Sequence, residues 1–277
     1  MATRPLAVHL LIGLCASIFT CPVFSEDAVA LPEWILSAGV PLLAHSGEKR
    51  PTWDITALMA VQVMPRYPGA QSARVQVLPL LDIRYKDFAF LSAIEGLGIN
   101  LSQSASHRLG IALTYDPGRS SHDAPVLKNL GSIRPAAEGK FFADYVIFPV
   151  VLRTDVRHSI GGYPGVIADG AVYVPVFVSD HWVIFSGASF TWASRSFINA
   201  YFGISPAQAN ASGLPVYETG AGLRSAGLGS DMTWTINGHW LLNAALSAQR
   251  FSNRVYQSPL VQTRIETAAS VALGYSF

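Results

Sequence analysis

Apolar and polar residues trade places at every second position through most of this chain, in segments of about ten residues. Strands do this when one face meets grease and the other water. The C-terminal stretch is the cleanest case. Ile265, Thr267, Ala269, Val271, Leu273, Tyr275 and Phe277 fall on one face; Arg264, Glu266, Ala268, Ser270, Ala272, Gly274 and Ser276 fall on the other. The same alternation sets Val75, Val77, Leu81, Ile83 and Tyr85 against Arg74, Gln76, Asp82 and Arg84. Read from end to end, it predicts twelve strands: Trp34–Leu43, Trp53–Met64, Arg74–Tyr85, Phe88–Leu101, Arg108–Tyr115, Ala136–Tyr145, Phe148–Arg157, Val166–Val178, Trp182–Trp192, Ala226–Ile236, Trp240–Arg250 and Arg264–Phe277.

An even count of such strands predicts an all-β chain, a closed antiparallel up-and-down transmembrane β-barrel of about twelve strands within a range of about ten to fourteen. If the last strand descends into the periplasm, alternation fixes the side of every connection. Ser179-Asp180-His181 and Asn237-Gly238-His239 become short periplasmic turns, and Asp116–Pro135, Ala193–Ser225 and Phe251–Thr263 become long external connections, the usual asymmetry of such barrels. The N-terminal half fits less well. There Arg66–Ala73 would be periplasmic though long and Lys86-Asp87 external though short, and Pro41 interrupts the first strand. A second reading starts the barrel at Trp53 and takes the missing strand from Ala193–Ser225, for instance Tyr217–Arg224.

Composition narrows the environment. Charged residues make up 13% of the chain and hydrophobic ones 50%; the charged share is about half that of soluble domains. No apolar run approaches the ~18 residues of a transmembrane helix, and a bilayer otherwise tolerates only a closed barrel. A net charge of +1 and the absence of basic runs interleaved with aromatics argue against a nucleic-acid partner. Arg4, the apolar run Leu6–Phe19 and the small residue Ser25 form the three parts of a secretory signal, so the expected organisation is a signal peptide over 1–25 and a barrel domain over 26–277, with cleavage after Ala30 as the competing choice. Cys15 and Cys21 fall in the segment to be removed, which excludes disulfides, thiolate catalysis and cysteine-ligated metals from the mature chain. No cofactor is expected.

The expected location is the outer membrane of a Gram-negative bacterium. Val271, Leu273, Tyr275 and the terminal Phe277 are similar to the C-terminal pattern by which outer-membrane barrels are recognised, so the barrel-assembly machinery and outer-membrane lipid are expected partners. Trp34, Trp53, Trp182, Trp192 and Trp240 sit at strand ends, where an amphipathic indole settles at the headgroup boundary, and read as an aromatic girdle. The His181-Trp182 and His239-Trp240 pairs read as the same anchoring rather than as metal ligands. Asp82, Arg84, Arg108, Arg153, Asp155, Arg157, Asp169 and Glu266 should point into the lumen. Paired, such charges plug it; unpaired, they line a water-filled pore. Pairing is favoured, because a barrel of this size is narrow beside porins of roughly 16 to 18 strands. External cations such as Arg119 and Lys128 are candidates for contact with lipopolysaccharide.

Catalytic signals are weak. His158-Ser159 and Ser121-His122 are adjacent, but neighbours in a strand point to opposite faces, and no paired carboxylate or phosphate loop occurs. The most distinctive stretch is the external connection holding Tyr201, Phe202, Gly203, Ser205, Gly213 and Leu214. Ser205 can cap a short helix with Pro206 at its first position and Gly213 at its stop, and an ordered loop of this kind is a candidate interaction loop.

At this loop the chain resembles the MipA/OmpV family of MltA-interacting proteins. The resemblance rests on YFGISPAQANASGLPVY (Tyr201–Tyr217), RYPGAQSARVQVLPLLDIRY (Arg66–Tyr85), GLGINL (Gly96–Leu101), GIALTYDPGR (Gly110–Arg119), GHWLL (Gly238–Leu242), SPLV (Ser258–Val261) and the ending GYSF. It implies a non-enzymatic outer-membrane scaffold that brings together a lytic transglycosylase and a murein synthase. The chain departs from the family in its extra sequence over Leu31–Thr52 and in Ala70-Gln71-Ser72, where relatives usually place acidic residues. The alternative function is a porin-like channel for small solutes.

Overall fold

The computed structural model describes residues 51–277. Twelve strands run in order: β1 (Trp53–Pro65), β2 (Ala73–Tyr85), β3 (Ala89–Ser92), β4 (Gly96–Gln103), β5 (His107–Asp116), β6 (Ala136–Ile147), β7 (Val150–Ile160), β8 (Val166–Val178), β9 (Trp182–Ala193), β10 (Gly222–Thr235), β11 (Trp240–Phe251) and β12 (Ile265–Ser276). Each pairs antiparallel with its sequence neighbours, and β1 pairs with β12 from Thr56↔Ser276 to Val63↔Ala269, which closes the barrel. Closure removes free edges that hydrocarbon would penalise, except along part of β2. The predicted strand Trp34–Leu43, Trp34 and the signal peptide lie outside the described residues, and the barrel closes without them.

The strand count therefore reaches twelve by a different route. What alternation reads as one strand over Phe88–Leu101 is a hairpin, β3 and β4, broken by a turn at 93–95. The break moves every earlier connection to the opposite rim and removes both misfits. The long 66–72 connection now shares a rim with 117–135, 161–165, 194–221 and 252–264, while 86–88 joins the short turns 104–106, 148–149, 179–181 and 236–239 at the rim that also holds Trp53 and Ser276. No separate strand forms over Tyr217–Arg224; Tyr217 makes an isolated bridge to Ile204, and β10 begins at Gly222.

The pleat sorts the side chains as the sequence pattern requires. Outward positions are greasy and exposed, for example Val75, Val77, Ile111, Phe141, Val172, Phe190, Leu246 and Val271. Inward positions divide by size. β9 to β1 turn mainly small residues inward, among them Gly187, Gly227, Ser247, Ala268, Ser270, Ala272 and Ala60, whereas β3 and β5 to β8 contribute Phe90, Arg108, Phe142, Arg153 and Tyr173. Bulk from one arc meets room on the other, as close packing demands.

The β3–β4 hairpin is short. β2 meets β3 only from Asp82 to Tyr85, so among the described residues its remaining length pairs with β1 alone and leaves a notch in the wall toward the rim of long connections.

That rim carries a folded cap. Ser194 caps α1 (Arg195–Phe202) through Phe197 N–H, and Ser205 caps α2 (Pro206–Ser212) in a reciprocal box with Gln208. Gly213 then ends α2 at φ +76°, a conformation that favours glycine. Ser252 caps the single turn α3 (Asn253–Tyr256). α1 packs Phe197, Ile198, Tyr201 and Phe202 onto Phe251 and Val255 in one buried cluster, and Tyr67, Leu127, Leu130, Ile204 and Leu260 form a second. Burying a side chain as large as Phe202 or Phe251, each about 1% exposed, contributes roughly 1.5 to 3 kcal/mol. The mouth is closed by hydrophobic packing.

Candidate functional site

The centre of the lumen is built around a residue that the strand pattern hid. Glu95 lies in the turn between β3 and β4, held there by Ser92 Oγ, which accepts from the N–H groups of Ile94 and Glu95. Its carboxylate accepts from Arg84 Nη2 at 2.9 Å on β2, from Arg108 Nη1 at 2.9 Å on β5 and from Arg153 Nη2 at 3.2 Å on β7. Lys140 on β6 donates to the Glu95 carbonyl at 2.8 Å. Asp82 holds Arg84 at 2.7 Å, and Asp144 holds Arg153 at 2.9 Å and Arg108 at 3.5 Å. Arg108 also lies between two rings, 4.7 Å from the Phe90 centroid and 4.5 Å from that of Phe142. The network spans the barrel from β2 to β7.

These charges are dry. Side-chain exposure is 5% for Arg84, 2% for Arg108, 3% for Glu95 and 5% for Asp144, whereas charges lining an aqueous pore stay solvated. The cavity among Glu95, Lys140, Phe142, Asp144, Arg153 and Asp169 is ≈ 20 Å³, room for about one water. Toward the cap a second group forms: Arg157 meets Asp155 at 2.9 Å, Asp169 at closer range and Glu138 at 3.8 Å. Glu266 stands apart from both, accepting from Gly69 N–H and from Gln249. Asp231 on β10 is buried too, and Asn243 donates to both its oxygens, at 3.1 and 2.9 Å.

All eight predicted lumen charges thus lie on inward positions. Asp82, Arg84, Arg108 and Arg153 meet in the central network, and Asp155, Arg157 and Asp169 in the second. Pattern reading missed Glu95, Glu138, Lys140, Asp144 and Asp231. For β6 the signal was present, since Glu138, Lys140, Phe142 and Asp144 alternate with Gly139, Phe141 and Ala143. For Glu95 it was the loss of alternation before Gly96, which sits at φ +89°.

The tryptophans stand in pairs with other rings. Trp53 lies 4.8 Å from Tyr85, Trp240 lies 5.0 Å from Tyr275, and Trp182 stacks on Trp234 at 5.0 Å and 5°. All six residues are at the rim of short turns; Trp192 is near the other. Trp234 was overlooked because it lies two residues inside the predicted strand Ala226–Ile236, although the register places it opposite Trp182. Val271, Leu273, Tyr275 and Phe277 follow one another on the outer face of β12, with Phe277 N–H donating to Ile55 C=O at 3.0 Å.

Two expectations change at the capped rim. Tyr201, Phe202 and Gly203 turn into the barrel mouth and are buried, so the candidate interaction loop presents Pro206, Ala207, Asn210, Ala211 and Gly213 outward instead, with Ser205 and Leu214 half-buried. Arg119 is not an external cation. It is 3% exposed and donates to the Tyr201 carbonyl, which leaves Lys128 exposed of the two. Burial lowers Arg119 from its ordinary value and raises the Tyr67 phenol to about 12. Burial also pushes Tyr201 well up, reinforced by the Asp116 carboxylate to which its hydroxyl donates at 2.6 Å. Tyr67 and Tyr201 are therefore neutral donors at any ordinary pH.

Serine and histidine come together at two exposed places, and at one of them, Ser120 Oγ and His122 Nδ1, the separation is 3.4 Å. At the other, His107 Nε2 is 2.8 Å from Ser102 Oγ and its Nδ1 is 2.8 Å from Ser104 Oγ, on the exposed rim of short turns. The group on Nδ1 is a hydroxyl, which cannot stabilise an imidazolium as a carboxylate does. His158 instead bonds the Gly165 carbonyl through Nδ1.

The family model described as MltA-interacting protein MipA matches residues 58–277, nearly the whole barrel. The chain belongs to the MipA family. It is an outer-membrane β-barrel of a Gram-negative bacterium, and its rim of short turns is the periplasmic one, as in other such barrels. No curated protein matches it. Among solved structures, an outer-membrane channel from Pseudomonas putida F1 is 9% identical, covering 84% of this chain and 98% of that one at a TM-score of 0.42. The CymD monoaromatic hydrocarbon channel is 8% identical, with 90% and 94% covered and a TM-score of 0.41. The translocator domain of the autotransporter NalP from Neisseria meningitidis is 11% identical, with 87% and 95% covered and a TM-score of 0.38. The barrel form of this MipA family member rests on its own strand pairing.

Proposed function

We propose that this barrel is a non-enzymatic outer-membrane anchor for peptidoglycan-remodelling partners, holding a lytic transglycosylase and a murein synthase at the periplasmic face. The observation that carries this reading is the dry, ion-paired lumen, which leaves the outer surfaces of the barrel as its working parts. The description of its family, an MltA-interacting protein, supplies the class of partner. Murein enzymes act in the periplasm, so docking falls to the rim of short turns and not to the connection holding Tyr201 and Phe202. Phe148, 87% exposed in the 148–149 turn, and Phe88, 57% exposed, are the apolar groups there that a partner would cover. Assembly would use Val271, Leu273, Tyr275 and Phe277 as the strand read by the barrel-assembly machinery. The paired rings around Trp53, Trp182 and Trp240 would seat the barrel in lipid at the periplasmic interface.

The test is retention of the organism's own murein enzymes on the purified barrel in detergent. A transglycosylase should be retained by the full chain, and less of it by Phe148→Ala. Failure of every lytic transglycosylase and murein synthase to bind would contradict the reading.

A further inference from the structure

The notch beside β2 is a gap in a wall that hydrocarbon surrounds. From Ala73 to Leu80 β2 has β1 as its sole strand partner among the described residues. Across the gap, Leu113 is the last residue of β5 paired with β4, so Thr114, Tyr115 and Asp116 pair with β6 alone. The floor is the 93–95 turn, where Ala93 N–H donates to Leu81 C=O at 2.8 Å. That bond shows which way the ladder faces. In an antiparallel strand alternate residues bond to alternate sides, so Leu81, Pro79, Val77 and Val75 turn their backbone groups toward the notch. Those of Val75 and Val77 have no hydrogen-bond partner among the described residues.

Depth gives this edge a polarity gradient. At about 3.3 Å per residue and a tilt of about 40°, Val75 stands about 25 Å above the periplasmic ring of Tyr85, at the external border of the apolar band. Val77 is one step deeper and Pro79 lies near the midplane. An unpaired N–H is most costly where water is scarcest, and there the chain has a proline, which has none. The edge therefore offers both donors and acceptors near the external headgroups and, at Pro79, an acceptor with no donor. Its outer rim continues the lipid-facing belt through Val75, Val77, Leu97 and Tyr115, exposed by 66%, 55%, 58% and 57%.

We infer that the notch is a lateral binding site for an outer-leaflet glycolipid, holding one amide-linked, hydroxylated acyl chain. The amide or hydroxyl of that chain meets the backbone of Val75 and Val77, and its hydrocarbon descends past Pro79 and Leu81. A strand from a second copy fits worse, because Pro79 lacks the donor its ladder would need.

Leu80, inward-facing beside the notch, lies in one register row with Leu58, Gly274 and Leu241. A benzoylphenylalanine in place of Leu80, irradiated in the full chain in phospholipid vesicles containing lipopolysaccharide, should form adducts with the lipopolysaccharide. The same probe at inward Leu241, three strands away, should give none, and outward Leu242 reports general lipid contact. Adducts at Leu80 only with phospholipid or with a second copy, or none while Leu242 reacts, would overturn the inference. If the substituted barrel fails to insert, amide exchange on the unmodified chain decides the matter. Added lipopolysaccharide should slow exchange at Val77 and leave it unchanged at Val61, and an unaffected Val77 would overturn the inference.

Discussion

Three guanidinium groups converge on Glu95, and all three lose a counter-charge if it is neutralised. Removing one partner of a buried ion pair commonly costs about 3 to 5 kcal/mol, because the charge left behind stays out of water. Glu95→Gln should therefore lower stability by about that amount in urea unfolding of the vesicle-bound barrel. Arg195→Gln, which breaks the exposed pair with Glu218 (68% and 51% exposed), should cost no more than about 1 kcal/mol in the same assay. Equal effects would mean that the central charges are solvated after all. Arg108 adds stacking between two rings to its ion pairs, so Lys in its place would keep the charge but lose the planar contact.

At the scale of elements, α2 offers a test of capping because it has no buried residue, although Gln208 also donates to the Leu130 carbonyl and Ala209 packs against the cluster around Tyr67. Ser205→Ala should cost about 1 kcal/mol by removing the cap, read as faster amide exchange in Pro206–Ser212 with the strands unaffected. This helix was legible in advance: Ser205, Pro206, Gln208 and Gly213 are local signals that act at fixed spacing. So were the bounds of β8, β9, β11 and β12, to within one residue at each end, whereas β10 begins at Gly222, four residues before the predicted Ala226 and beyond a register shift between Leu223 and Ser225. The β3–β4 break was not, because the apolar positions change parity from Phe88 and Phe90 to Leu97, Ile99 and Leu101 without local turn chemistry to say that a hairpin closes there, and the cause of the turn is tertiary, the burial of Glu95 among cations from β2, β5 and β7. Alternation also says which residues face inward but not which of them meet. Hence eight of the lumen charges could be read from sequence, while the acceptor Glu95 that several of them share could not. The burial of Tyr201 and Phe202 was hidden likewise, since their partner Phe251 is supplied by a distant strand.

The whole molecule is a barrel turned inside out relative to a soluble protein, with its charges paired in the middle and its apolar side chains in lipid. Leu246, 61% exposed midway along β11, should tolerate polarity poorly. Leu246→Arg is expected to cost about 2 to 4 kcal/mol in a bilayer, as lipid-facing cations do near the midplane, and far less in a detergent micelle. The central claim is that buried ion pairs and a packed cap close the lumen, so that the barrel works through its surfaces. Planar-bilayer recording of the purified chain tests this most directly. No unitary conductance above that of the bare membrane is expected, and reproducible ion-conducting steps from the unmodified barrel would show that the lumen is open.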